Sequence, residues 1–238
     1  MRRFSAQAIG FKYANHIVFK DASLKVESGS ISGLLGPNGS GKTTFFDIVC
    51  NLRKVDSGAI ADEFSSRVYL SQVISTPAVF RMSDIFKMIA LFCSEKKMTK
   101  KDSLEKLELW SPALVERYLS IWDKKSSLCS YGEKRWFFTL SLLSVAADFV
   151  ILDEPTAGVD PEFRYHIWKC LRGAANEGAA ILVSSHNVEE VASGCDDFYM
   201  IAQQRFNHFT NAVNFMSHYG ATTLDEAFIK AVNIRNPL

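Results

Sequence analysis

Gly36-Pro37-Asn38-Gly39-Ser40-Gly41-Lys42-Thr43 fits the phosphate-loop pattern G-x-x-x-x-G-K-[ST] without a mismatch. Ile31 to Leu35 before it read as a short apolar strand. Lys42 to Leu52 after it read as a helix whose apolar faces carry Phe45, Phe46, Ile48, Val49 and Leu52. A strand, a glycine-rich turn and a helix N-terminus together make an anion site. Glycines let successive backbone N–H groups curl toward a phosphate, and the helix dipole adds partial positive charge. Alone, such a turn can simply open a helix; the full pattern in its strand-to-helix setting points to a bound nucleoside triphosphate. Lys42 is then expected to reach the β- and γ-phosphates, and the Thr43 hydroxyl, next to Thr44, to ligate Mg²⁺.

Moving outward, Phe149-Val150-Ile151-Leu152-Asp153-Glu154 is an apolar run ending in two acids. A buried parallel strand delivers its last side chains to the sheet edge where ligands bind. Asp153 is expected to hold Mg²⁺ through its water shell, and Glu154 to polarise an attacking water. Taken alone, the run marks only a strand meeting a charged turn; about 110 residues after a phosphate loop it means more. His186 follows the apolar stretch from Ala180 to Ser184 and is read as a γ-phosphate contact at the same edge. Gln72 closes a short strand near 67–71 and is positioned to see Mg²⁺ and water.

The chain of 238 residues suits one large domain, or one with an inserted subdomain. Its net charge of +1 calls for neither nucleic acid nor an anionic membrane. Cys50, Cys93, Cys129, Cys170 and Cys195 are scattered without a C-x-x-C pair, as expected for reduced thiols. No apolar leader follows Met1-Arg2-Arg3, and no run approaches a membrane span. Residues 3–11 and 17–27 read as strands joined through Tyr13-Ala14-Asn15, with further short strands near 58–61 and 67–71. From about 77 to 147 the pattern is helical. Ser83 or Asp84 is expected to cap a helix through Phe92, Ser111-Pro112 to open one through Trp122, and Gly132 to precede one from Glu133 to Ala147. A helix opened by Asp160-Pro161, a strand at 180–184 and a terminal strand–helix region complete the pattern. The fold expected is α/β: a phosphate-loop NTPase core with a mostly parallel sheet, N-terminal antiparallel strands and an inserted helical subdomain.

In this order and spacing the elements resemble the nucleotide-binding subunit of an ATP-binding cassette (ABC) transporter, over nearly the whole chain. The resemblance makes Gly36 to Thr43 the Walker A loop, Gln72 the Q-loop, and Cys129-Ser130-Tyr131-Gly132-Glu133 the signature motif. Phe149 to Asp153 is similar to Walker B with Glu154 as the catalytic glutamate. Ala157-Gly158-Val159-Asp160 resembles the D-loop, His186 the switch histidine, and Tyr13 the aromatic residue that stacks on adenine. It implies one ABC ATPase domain, with a core at 1–75 and 148–238 and a helical subdomain at 76–147. The signature departs from Leu-Ser-Gly-Gly-Gln, keeping Ser130 and Gly132 but placing Tyr131 where the family has glycine. Were positive φ needed there, Tyr131 would be strained by about 1–3 kcal/mol. The change is read as tolerated, so that Tyr131→Gly is expected to leave activity similar or raise it.

The resemblance further implies an Mg²⁺-dependent ATPase whose ATP is sandwiched in a two-fold dimer, the signature helix of one subunit closing over the loop of the other. The second subunit is a copy or a relative, and polytopic membrane permease subunits dock on the helical subdomain. No nucleic-acid partner is expected, and the location implied is the cytoplasmic face of the cell membrane. Export is favoured over import, because the chain ends soon after one core and Thr223 to Phe228 resembles an ending common in ABC-2-type exporter ATPases. Soluble ABC-type ATPases of DNA repair or translation, and phosphate-loop kinases, are the alternatives.

Overall fold

All five side chains of β3 (Ile31–Leu35) are buried, which requires a strand covered on both faces. In the computed structural model, which describes residues 2–93 and 98–233, β3 lies inside a six-stranded sheet. The other strands of that sheet are β5 (Arg67–Leu70), β6 (Phe149–Asp153), β7 (Ala180–Ser185), β8 (Asp197–Ala202) and β9 (Arg205–Phe209). The order is β5-β6-β7-β3-β8-β9; all neighbours are parallel except β9, which pairs antiparallel with β8. A second sheet, β2-β1-β4, is antiparallel and consists of β1 (Arg3–Tyr13), β2 (His16–Glu27) and β4 (Ser57–Asp62).

Alternation along the central strands divides the core. Phe149 and Ile151 of β6 and Leu182 of β7 face α1 (Lys42–Val49) and the antiparallel sheet, packing with Phe4, Phe19, Phe45 and Phe46. Val150, Leu152, Ile181 and Val183 face the opposite way, toward α5 (Tyr131–Ser144) and α6 (Pro161–Asn176), meeting Leu140, Leu143, Ile167 and Leu171. Phe45 is fully buried, its ring 4.6 Å from that of Phe206 and 6.1 Å from that of Phe19. Truncating such a side chain to alanine costs about 3–5 kcal/mol, so α1, and with it the loop ahead of it, is held firmly between the two sheets. Between β5 and β6 in the chain come α2 (Met82–Cys93), α3 (Lys100–Trp110), α4 (Ala113–Trp122) and α5. Tyr118 and Phe137 stack 4.7 Å apart at the centre of these helices. The C-terminal α7 (Val188–Gly194), α8 (Ala212–His218) and α9 (Leu224–Asn233) cover β8 and β9 through Val191, Phe215, Ala227 and Ala231.

Several boundaries differ from the sequence expectation, each for a local reason. The loop helix stops at Val49 and not at Leu52, because Asn51 turns left-handed (φ 58°) and the Leu52 N–H returns to the Asp47 carbonyl at 2.8 Å. Neither Ser83 nor Asp84 caps α2. Ser83 is buried within the helix, and Asp84, in its first turn, accepts from the Arg81 N–H. Ser111 ends α3 instead of capping α4, and its hydroxyl lies 2.7 Å from His166 Nδ1. β5 ends at Leu70, which leaves Gln72 two residues beyond the strand.

The helix expected from Glu133 begins at Tyr131, and Ser130 is its N-cap. Ser130 Oγ accepts from the Glu133 N–H at 3.1 Å while a Glu133 carboxylate oxygen accepts from the Ser130 N–H at 2.8 Å. That reciprocal box satisfies two otherwise orphaned donors. Tyr131 is therefore helical, without the positive φ that would have strained it.

Candidate functional site

Because β6, β7 and β3 are adjacent and parallel, their C-terminal ends bring Asp153 and Glu154, His186, and the loop from Gly36 to one edge of the sheet. The loop needs its glycines. A Cβ added at Gly36 would stand 2.5 Å from Ser40 Oγ, and Gly39 and Gly41 hold φ of 76° and 106°. No side chain caps α1 at Gly41, so the first-turn N–H groups are left for another acceptor. The Ser40 hydroxyl is likewise buried without a partner. Lys42 is buried, and its ammonium donates to the Gly36 carbonyl at 2.7 Å and the Pro37 carbonyl at 3.3 Å. Burial lowers the Lys42 pKa, while the charges of Glu154 and Asp153 pull the other way.

Asp153 is buried between two hydroxyls: Ser184 Oγ donates to Oδ1 at 2.6 Å and Thr43 Oγ1 donates to Oδ2 at 2.9 Å. The pairing of Asp153 with Ser184 across β6 and β7 sets the first contact. Glu154 is also buried and adopts a left-handed φ of 53°, a costly conformation for a residue with a side chain. Its N–H donates to Ser184 Oγ at 3.0 Å, and its carboxylate bonds His186 Nδ1 at 2.8 Å. The His186 side chain is itself largely exposed.

A cavity of about 450 Å³ opens beside these groups, lined by Tyr13, His16, Val18, Asn38, Gly39, Gly41, Lys42, Thr43, Thr44, Gln72, Asp153 and Glu154. That volume lies in the range of small-molecule sites. Tyr13 stands at its rim with Arg53 over its ring at 4.9 Å and its hydroxyl 3.3 Å from Thr44 Oγ1. Thr43 and Asp153 give two hard oxygen donors in mutual contact, which fits Mg²⁺, an ion bound through one or two carboxylates, waters and substrate phosphates. Among the described residues no cluster of three or more His, Cys, Asp or Glu offers an all-protein metal cage.

Not every anticipated residue reaches this cavity. His186 touches it through Glu154, and Gly36, Pro37 and Ser40 stand behind the lining within the same loop, whereas Ser130, Gly132 and Asp160 lie outside it altogether. Gly132 packs on the segment before Asp160, and a Cβ there would stand 2.5 Å from the Gly158 carbonyl oxygen. Two residues escape sequence reasoning. Ser184 ties Asp153 to Glu154, and its only signal is a polar residue ending an apolar strand. Arg135, fully buried, donates to the carbonyls of Ser71, Gln72, Asp153 and Glu154. Its signal is weak, a second cation beside Lys134 where α5 turns apolar.

The family model described as ABC transporter matches residues 19–157, and an AAA domain model overlaps it at residues 123–192. Protein McbF of Escherichia coli is 30% identical over 230 residues, covering 94% of this chain and 92% of its own. The lipopolysaccharide export system ATP-binding protein LptB of Acidithiobacillus ferridurans is 31% identical over 208 residues, covering 82% and 85%. A solved ATP-binding subunit of an ABC transporter superimposes with a TM-score of 0.80 at 20% identity, covering 96% of this chain and 98% of that one. With more than half its length inside the family model and full-length relatives at this identity, the chain belongs to the ABC transporter family, as an ATP-binding subunit that hydrolyses ATP in the service of transport.

Proposed function

We propose that this chain contributes half of each of two shared ATP sites in a two-fold dimer and drives export through a polytopic membrane partner. One observation carries the reading. Lys42, Thr43, Asp153 and Glu154 surround a single cavity, while Ser130 and Gly132 stand outside its lining, at the start of α5. A second subunit, identical or related, would bring that helix N-terminus over the cavity, as a two-fold arrangement requires. Ser130 Oγ accepts within its own capping box, which leaves its hydroxyl proton free to be donated to a γ-phosphate.

Within one chain, Tyr13 takes the adenine, and the loop from Gly36 through Gly41 with Thr44 cradles the phosphates. Lys42 exchanges the Gly36 carbonyl for phosphate oxygens. Thr43, Asp153 and Gln72 would hold Mg²⁺, which supplies positive charge against the phosphates when bound. Glu154 orients and deprotonates the attacking water, and His186, bonded to its carboxylate, fixes that carboxylate and meets the γ-phosphate. Asp160 faces the second subunit. The 76–147 segment forms the helical subdomain and docks the membrane partner, a reading supported by exposed Val73, Val79, Leu91 and Phe92 on the stretch that follows Gln72. Among the described residues no helix is long and apolar enough to cross a membrane; docking on the membrane partner would make the chain a peripheral subunit on the cytoplasmic face. Export is favoured by the relatives named for lipopolysaccharide export.

The test is co-purification from membranes together with an ATPase assay. The reading expects a polytopic membrane protein at stoichiometric yield and Mg²⁺-dependent turnover. ATPase activity that rises with DNA or ribosomes, and no membrane partner, would overturn it.

A further inference from the structure

Tyr131 and Arg135 stand four residues apart on α5 and so share one face of the helix. Both reach the same atom. The Tyr131 hydroxyl donates to the Gln72 carbonyl at 3.1 Å, and Arg135 Nη1 donates to it at 3.0 Å and to the Ser71 carbonyl at 2.7 Å. The other side of the guanidinium holds the strand end that carries the acids: Nε donates to the Glu154 carbonyl at 2.9 Å, and Nη2 donates to the Asp153 carbonyl. The Tyr131 ring also lies against Gly158, where an added Cβ would come within 3.2 Å of Cδ1.

A fully buried guanidinium is costly unless its planar fork is satisfied. Simple packing of α5 on the sheet needs no charge, since Leu140 and Leu143 already provide it. What Arg135 adds is geometry, because a rigid fork bonded to carbonyls on two separate segments fixes their separation. One of those segments carries Glu154, whose left-handed φ of 53° persists only where its surroundings hold it.

We infer that Tyr131 and Arg135 form a clamp through which the Gln72 loop, the Asp153–Glu154 turn and the N-terminus of α5 move as one body. Contact between Gln72 and the nucleotide in one half-site then sets how Ser130 and Gly132 are presented to the other half-site. The clamp rests on the shared-site reading above. Tyr131 and Arg135 act in it as positioning residues, so the tyrosine that interrupts the family's glycine pair has a role, and Tyr131→Gly should lower turnover and not leave it similar or raise it as the sequence alone suggests.

Tyr131→Phe is the decisive variant, since it removes only the hydroxyl of a half-exposed side chain. With active wild type as reference, kcat should fall about threefold to tenfold, the effect of one lost hydrogen bond. KM and the dissociation constant for a fluorescent ATP analogue should stay within about twofold, because the phosphate cradle is untouched. Arg135→Lys should retain more turnover than Arg135→Met, both folded by circular dichroism, because an ammonium still reaches part of the carbonyl set. Unchanged kcat in Tyr131→Phe would overturn the clamp, as would parallel losses of nucleotide affinity and turnover. A wild-type chain that neither binds nor hydrolyses ATP would sink the site reading itself, and the clamp with it.

Discussion

Replacing Ser184 by alanine removes one oxygen from the centre of the site, and the structure sets the cost. Ser184 Oγ donates to Asp153 Oδ1 at 2.6 Å and accepts from the Glu154 N–H at 3.0 Å, in a fully buried position. A hydrogen bond to a charged group contributes about 1.5–3 kcal/mol. The second loss is smaller, because the Glu154 N–H keeps the Ser184 carbonyl at 3.2 Å. The sum is about 2–3 kcal/mol, which for a chain of this size lowers Tm by about 4–12 °C. Turnover should drop about tenfold or more, since Asp153 and Glu154 both lose a fixed partner. Urea unfolding, calorimetry and a steady-state ATPase assay measure the two effects on the same preparation. A stability change below about 0.5 kcal/mol, the level of an ordinary surface substitution, with unaltered turnover would refute the reasoning.

Further perturbations test other parts of the account. Lys42→Ala should abolish nucleotide binding or hydrolysis while leaving the fold intact; near-normal turnover would remove the phosphate-loop assignment. Gly132→Ala places a Cβ 2.5 Å from the Gly158 carbonyl oxygen, so a backbone shift costing about 1–3 kcal/mol should appear as a lower urea midpoint. An unshifted midpoint would mean that the two segments are not packed as described. The Cys170 thiol is pushed by burial from its ordinary 9 up to about 12. Unfolding lets it ionise near pH 9, so its stabilising contribution is complete below that pH and is lost as pH rises toward 12. Cys170→Ala should therefore flatten the decline of the urea midpoint above about pH 9, and an equally steep decline would contradict this.

What the sequence makes legible is chemistry concentrated in contiguous strings. The Gly36–Thr43 loop and the apolar run into Asp153 and Glu154 each need fixed residue types in fixed order, and both stand on the strand edge where they were expected. Contacts made across the sheet are not legible. Ser184 matters because β6 and β7 pair in a register that sets it opposite Asp153, and no local pattern encodes that register. Arg135 matters because two loops distant in sequence converge on one turn of α5. Helix ends fail for a subtler reason: Ser111 has the chemistry of a cap, but tertiary packing gives its hydroxyl to His166. The box joining Ser130 and Glu133 is the opposite case, a signal present in the sequence, where Ser-x-x-Glu opens the helix at Tyr131, two residues ahead of the expected start at Glu133.

The central claim is that one chain holds only half an ATP site, and Glu154→Gln tests it most directly. The variant keeps the loop, Lys42 and Asp153 but loses the base, so it should bind ATP without hydrolysing it. Light scattering during gel filtration should then show a monomer without nucleotide and a stable dimer with Mg²⁺-ATP. A variant that binds ATP and remains strictly monomeric at high concentration would contradict the shared site.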